Sequence, residues 1–155
     1  MISTTSQKKP LIEVILVEDD PGHARLIQKK LTHDTHNLVV KAHFDSGEAA
    51  LDYFFNLETE DTADLNKDDL GRKVVLLDLN MPGTNGYQVL QLLKAIEKTK
   101  HIPAIVLTTT REASDVKRCY QLGCNAYISK PVNYDQFCTS MRHLGELITK
   151  IEVPA

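Results

Sequence analysis

The sequence predicts a doubly wound α/β domain in which five strands alternate with five helices around a parallel sheet. Three observations carry this reading. Val74-Val75-Leu76-Leu77 is an unbroken apolar run, half of it β-branched, as suits a strand buried on both faces. Short apolar runs recur over residues 11–17, 38–44, 102–107 and 126–129, each followed by a segment whose apolar residues fall at helical spacing. Polar side chains stand where four of these strands stop, at Glu18-Asp19, Asp78, Thr108 and Lys130.

Taken in order, the first strand, 11–17, is interrupted by Glu13 and gives way to Glu18-Asp19-Asp20-Pro21. Asp20 suits a helix N-cap and Pro21 the first helical position. That helix runs to about Leu31, with Ala24, Ile27 and Leu31 on its inner face. A polar connection over 33–37 leads to the second strand, 38–44, after which Ser46 caps a helix burying Ala49, Ala50, Tyr53 and Phe54. Residues 58–72 are polar, mostly acidic and without periodicity, and are expected to form an exposed insertion loop. The third strand ends at Asp78, and Pro82-Gly83 breaks the chain into a loop. Residues 83–86 lead into a helix through Val89, Leu90, Leu93 and Ile96. The fourth strand, 102–107, runs into Thr108-Thr109-Thr110, and Glu112 or Ser114 begins a helix ending at Leu122-Gly123, where glycine suits a left-handed cap. The fifth strand, 126–129, ends at Lys130-Pro131. Asn133 then caps a last helix bearing the apolar stripe Phe137, Met141, Leu144, Ile148 and Ile151.

A chain of 155 residues fits one domain over 11–151, between a flexible N-terminal tail, 1–10, and a short tail, 152–155. Apolar content of 42% and charged content of 25% are ordinary for a soluble globular protein. A net charge of −3 argues against general nucleic-acid or membrane binding, and no stretch approaches the roughly 20 apolar residues of a membrane span. The polar N-terminus is no secretory signal, so a cytoplasmic location is expected. With four residues after Ile151, no DNA-reading domain is expected. Cys119, Cys124 and Cys138 show no C-x-x-C spacing, and His33 and His36 lie in a connection, so neither set suggests a zinc site. Glycine-rich phosphate motifs are absent.

In a parallel sheet all strand ends point the same way, so Glu18, Asp19, Asp78, Thr108 and Lys130 can converge on one crevice. Each alone could be a cap or a surface residue; the recurrence makes the site. Carboxylates in one place repel, and a hard divalent cation such as Mg²⁺ relieves that repulsion with oxygen ligands. Lys130 supplies a compact positive charge for a phosphoryl group, and Thr108 a hydroxyl donor. These are the parts for in-line phosphoryl transfer to Asp78.

The motifs Val17-Glu18-Asp19, Leu77-Asp78-Leu79-Asn80-Met81-Pro82-Gly83, Leu107-Thr108-Thr109 and Tyr127-Ile128-Ser129-Lys130-Pro131 resemble, in this order, those of two-component response regulator receiver domains. The resemblance covers about residues 12–148 and implies a flavodoxin-like sheet of strand order 2-1-3-4-5. It implies Asp78 as phosphoacceptor from a histidine kinase, with Mg²⁺ (or Mn²⁺) held by Asp19, Asp78 and the Asn80 backbone carbonyl, and by Glu18 through water. Thr108 and Tyr127 would act as the switch pair, Lys130 would pair with the phosphate, and the Lys130-Pro131 bond would be cis. Thr109 is larger than the small residue often found there, which puts in question how freely the switch pocket closes. The acidic insertion and the Leu-Thr-Thr-Thr run further resemble the regulators paired with cyanobacterial phytochromes. That likeness implies a bacterial phytochrome as the kinase and a homodimer through the face of the fourth helix, fifth strand and fifth helix. The downstream partner is not legible.

Two other functions compete. A phosphatase of the haloacid-dehalogenase type also uses an aspartyl nucleophile, but its acid/base aspartate would fall at Asn80, which cannot exchange a proton in that role. A flavin- or small-ligand-binding domain would meet anionic repulsion from the acidic residues crowding the crevice.

Overall fold

The computed structural model describes residues 10–59, 72–151 and 153. Five strands and five helices alternate: β1 (Ile12–Val17), α1 (Pro21–Leu31), β2 (Leu38–Phe44), α2 (Gly47–Thr59), β3 (Arg72–Leu77), α3 (Gly86–Ala95), β4 (Ala104–Thr108), α4 (Ala113–Gln121), β5 (Ala126–Ser129) and α5 (Tyr134–Lys150). The strands are all parallel, in the order β2-β1-β3-β4-β5. This is the doubly wound, flavodoxin-like arrangement that the sequence predicts. The chain reverses direction across the sheet between β1 and β3, where open α/β sheets place their ligands.

Strand side chains alternate between two apolar layers. Val14, Leu16, Val74, Leu76, Ile105 and Leu107 face α1 and α5, joining Ile27, Phe137, Met141, Leu144 and Ile148. Ile15, Val17, Val75, Leu77, Ala104 and Val106 face the other way, joining Phe54 on α2 and Val89, Leu90 and Leu93 on α3. A large aliphatic side chain moved from water into such a layer contributes about 1.5–3 kcal/mol. Glu13, the residue that interrupts the first strand, is buried, with Lys41 Nζ 3.7 Å from its carboxylate.

The caps form largely as the residues suggest. Asp20 accepts from the His23 amide, Ser46 Oγ from the Ala49 amide and Asn133 from the Gln136 amide. Gly123, at φ +103°, supplies the left-handed residue that ends α4. Asn85 and Gln88 make a reciprocal capping box at the start of α3. Glu112 stands at the N-cap of α4 but makes no side-chain cap bond.

Some boundaries move. Helix α2 continues through Glu58 and Thr59, and Arg72 already pairs with Ile12 in the sheet, so the expected 58–72 insertion loses residues at both ends. Its remainder, 60–71, lies outside the described residues, as do 1–9, 152, 154 and 155. Ala49 and Tyr53 are half-buried, leaving Ala50 and Phe54 as the enclosed residues of α2. Ile151 is exposed, whereas Val153, placed in the expected tail, packs into the core beside α5.

Candidate functional site

Each strand delivers its polar group to the same crevice. β1 ends in Glu18 and Asp19, β3 in Asp78, β4 in Thr108 and β5 in Lys130. Backbone hydrogen bonds hold these ends in step: the Asp78 amide donates to Val17 O at 3.0 Å and the Lys130 amide to Thr108 O at 2.7 Å. Gly86 allows α3 to start directly against the strand end, since a Cβ there would sit 2.3 Å from Asp78 O.

Carboxylate oxygens of Glu18, Asp19 and Asp78 lie within 4.8 Å of one another. Glu18 is 1% exposed, Asp78 8% and Lys130 3%. Lys130 Nζ donates a short hydrogen bond to Glu18 Oε1 and stands 3.6 Å from Asp78 Oδ2. A single lysine thus meets two of the three clustered acidic groups. Burial, reinforced by Asp78 and opposed by Lys130, pushes the Glu18 carboxyl well above the usual carboxylate range.

Glu18 Oε2 is buried without a hydrogen-bond partner among the described residues. A buried carboxylate oxygen left unsatisfied is costly. With two further carboxylates beside it, the donor set suits a hard divalent cation that takes oxygen ligands. The residues present fit such an ion.

The remaining expected residues gather around this cluster. Thr108 is fully buried, its hydroxyl 3.5 Å from Asn80 Nδ2. The Asn80 amide N–H donates to Asp78 Oδ1 at 3.3 Å, and its side chain donates to Thr110 Oγ1 at 2.7 Å. Tyr127 is half-buried, its hydroxyl donating to the Thr110 carbonyl at 2.7 Å. Thr109 is exposed. One expectation is corrected: among the described residues no peptide bond is cis, so Lys130-Pro131 is trans. Trans is the lower-energy isomer of an X–Pro bond, and here Lys130 reaches Glu18 and Asp78 with it in place.

Sequence reasoning missed His23. Its Nδ1 lies 3.2 Å from Lys130 Nζ and 3.7 Å from Glu18 Oε1. The contact joins the first turn of α1 to a residue far along the chain, and no local motif announces it. The hydrogen bond from the Tyr87 hydroxyl to Asp115 was likewise invisible.

An acidic crevice at the switch point of a 2-1-3-4-5 sheet, closed by one lysine, defines a signalling domain of the aspartate-receiver kind. The chain belongs to the response regulator receiver domains, whose family model matches residues 14–142. Response regulator Rcp1 of Synechocystis sp. is 33% identical over 132 residues, 83% of this chain and 83% of Rcp1. Its Mn²⁺-bound form matches at a TM-score of 0.75 and 27% identity over the structural alignment, covering 92% of this chain and 99% of that one. A receiver domain from Rhodospirillum rubrum matches at a TM-score of 0.79 and 37% identity, covering 92% of this chain and 96% of its own. The phosphorylated cyanobacterial phytochrome response regulator RcpA matches at 0.77 and 29%, covering 92% and 98%. The phosphatase reading finds no support, in keeping with Asn80 at the position where that chemistry needs an acid.

Proposed function

We propose that Asp78 accepts a phosphoryl group from a histidine kinase and that the protein signals through the surface this changes. The observation that carries the reading is the cluster of Glu18, Asp19 and Asp78 carboxylates within 4.8 Å, with Lys130 3.6 Å from Asp78. Mg²⁺ is the physiological ion in this reading, held by Asp19, Asp78 and the Asn80 carbonyl, with Glu18 acting through water. When bound, the ion neutralises charge on the phosphoryl oxygens as they approach the carboxylates.

A carboxylate oxygen of Asp78 attacks phosphorus in line, the P–N bond to the donor imidazole breaks, and the imidazole leaves with the bonding pair. Lys130 meets the developing charge from within the crevice, and the Thr108 hydroxyl donates to another phosphoryl oxygen. The acyl phosphate carries about −1.5 to −2 charge where the carboxylate carried one, and presents three acceptor oxygens beside Thr108. Thr108 turning toward it would free the Tyr127 side to repack, and the Tyr127–Thr110 bond is the contact this repacking would exchange. Because Asn80 and Tyr127 both bond Thr110, the loop leading to α4 feels what happens at Asp78.

The likeness to phytochrome response regulators favours a phytochrome-type light sensor as the kinase, and a cytoplasmic setting belongs to the same reading. A homodimer through α4, β5 and α5 belongs to the same reading, and exposed Tyr120 on α4 and Leu147 on α5 lie on those helices. Sedimentation of the wild type beside a Leu147→Asp variant tests the dimer: a shift to monomer is expected, and two identical profiles contradict it.

Intact-mass analysis after incubation with acetyl phosphate, with and without Mg²⁺, tests the main reading. The expected outcome is a gain of one phosphoryl group that requires Mg²⁺ and disappears in Asp78→Asn. No gain from acetyl phosphate or from a phosphorylated histidine kinase contradicts it.

A further inference from the structure

The ammonium of Lys130 has a neighbour that the carboxylate chemistry does not use. Besides Glu18 Oε1 and Asp78 Oδ2, its Nζ meets His23 Nδ1 at 3.2 Å. An ammonium donates and never accepts. The contact as a hydrogen bond therefore requires the lone pair on Nδ1 and the ring proton on Nε2, which is the neutral imidazole. The ring is fixed from two directions. It stacks on Phe137 of α5, with centroids 5.6 Å apart and planes 25° from parallel. Its own backbone N–H donates to Asp20 Oδ1 at 2.9 Å in the cap of α1. The stacking orients the ring and the cap holds its backbone, both independently of Lys130.

Resting on the phosphoacceptor reading above, we propose that His23 is a positioning residue that holds the Lys130 ammonium beside Asp78 through a neutral acceptor. The neutrality matters. A carboxylate at this place would draw the ammonium to itself and oppose its charge, whereas an imidazole lone pair orients one N–H and leaves the charge for the phosphoryl oxygens. Lysine is a flexible four-carbon stem, so a fixed acceptor also lowers the entropy cost of placing its head group. Glu18 anchors the same head group but is itself a member of the acidic cluster; His23 is the neighbour that positions without adding a carboxyl group.

The test compares the rate constant for phosphorylation by acetyl phosphate at fixed Mg²⁺ in wild type, His23→Leu and His23→Asn, with the melting midpoint of each protein. Leucine offers Phe137 an apolar contact but no acceptor. Asparagine places Oδ1 about where Nδ1 stands but loses the stacked ring. The Leu variant is expected to be slower by about five- to tenfold, a part of what a hydrogen bond to a charged group contributes, and the Asn variant to recover most of the rate. A Leu variant as fast as wild type overturns the proposal. So does an Asn variant as slow as Leu, which would assign the loss to the stacking on Phe137. A wild-type chain that gains no phosphoryl group while its fold is intact contradicts the phosphoacceptor reading itself, and the role of His23 falls with it.

Discussion

The crevice at the strand ends and helix α4 are held in place by opposite means. In the crevice Glu18, Thr108 and Lys130 are almost wholly enclosed, and their positions follow from strands packed on both faces. In α4 only Cys119 is buried. The helix is otherwise fastened from outside: the Tyr87 hydroxyl on α3 donates to Asp115, and the Arg118 guanidinium lies 3.9 Å from the Tyr87 ring centre. Between the two regions stands Thr110, bonded by Asn80 from the crevice and by Tyr127 from β5. The two regions divide the labour. Chemistry on a carboxylate needs fixed groups in a dry setting; a helix held by half-exposed polar contacts can shift at small cost.

The comparison breaks most sharply at two glycines. A Cβ on Gly86 would stand 2.3 Å from Asp78 O, and one on Gly145 would stand 1.9 Å from Leu31 O where α5 crosses α1. Both are backbone clashes, so Gly86→Ala and Gly145→Ala are each expected to cost about 2–3 kcal/mol, a fall of about 5–10 °C in melting midpoint. Only the first moves Asp78. The phosphorylation rate of the folded protein should fall more than about tenfold in Gly86→Ala and stay near wild type in Gly145→Ala. Equal rates in the two would deny that Gly86 seats the phosphoacceptor.

A smaller effect of unusual sign comes from the acidic cluster. Since three acidic groups crowd together with one lysine beside two of them, Asp78→Asn is expected to stabilise the protein in chelator by about 1 kcal/mol, or about 2–4 °C, and to gain less than wild type when Mg²⁺ is added. Melting curves with and without the ion check this; a destabilised variant would mean that Lys130 already balances the cluster.

The smallest expected effect sharpens the α4 side. Tyr87→Phe removes the bond to Asp115 and keeps the ring under Arg118, at a cost of about 0.5 kcal/mol because the contact is half-exposed. Hydrogen exchange should quicken over 113–121 and stay unchanged over 12–17. Uniform change across both segments would contradict the looser hold on α4.

The same contrast sets what could be read in advance. The strands, most helix caps and the convergence of Glu18, Asp19, Asp78, Thr108 and Lys130 were legible, because apolar runs and cap residues act locally and parallel strands share one direction. His23 on Lys130 and Tyr87 on Asp115 were not legible: each joins distant residues through tertiary packing that no local spacing encodes. The burial of Val153 has the same cause, since the residue follows α5 but fits a gap in its core layer. Helix α2 runs past the expected break at Glu58 because polar composition alone does not stop a helix that lacks a glycine or proline. The cis Lys130-Pro131 expectation came from the family likeness rather than from the residues, and the bond is trans.

In the proposed function Asp78 is the residue that carries the phosphoryl group. The most direct measurement is borohydride trapping of the phosphorylated protein, followed by mass spectrometry of its tryptic peptides, since hydride reduces an aspartyl phosphate to homoserine. The reduced residue is expected at position 78, with Glu18 and Asp19 unaltered. Reduction at Asp19 or any other carboxylate, with position 78 unchanged, would contradict this assignment.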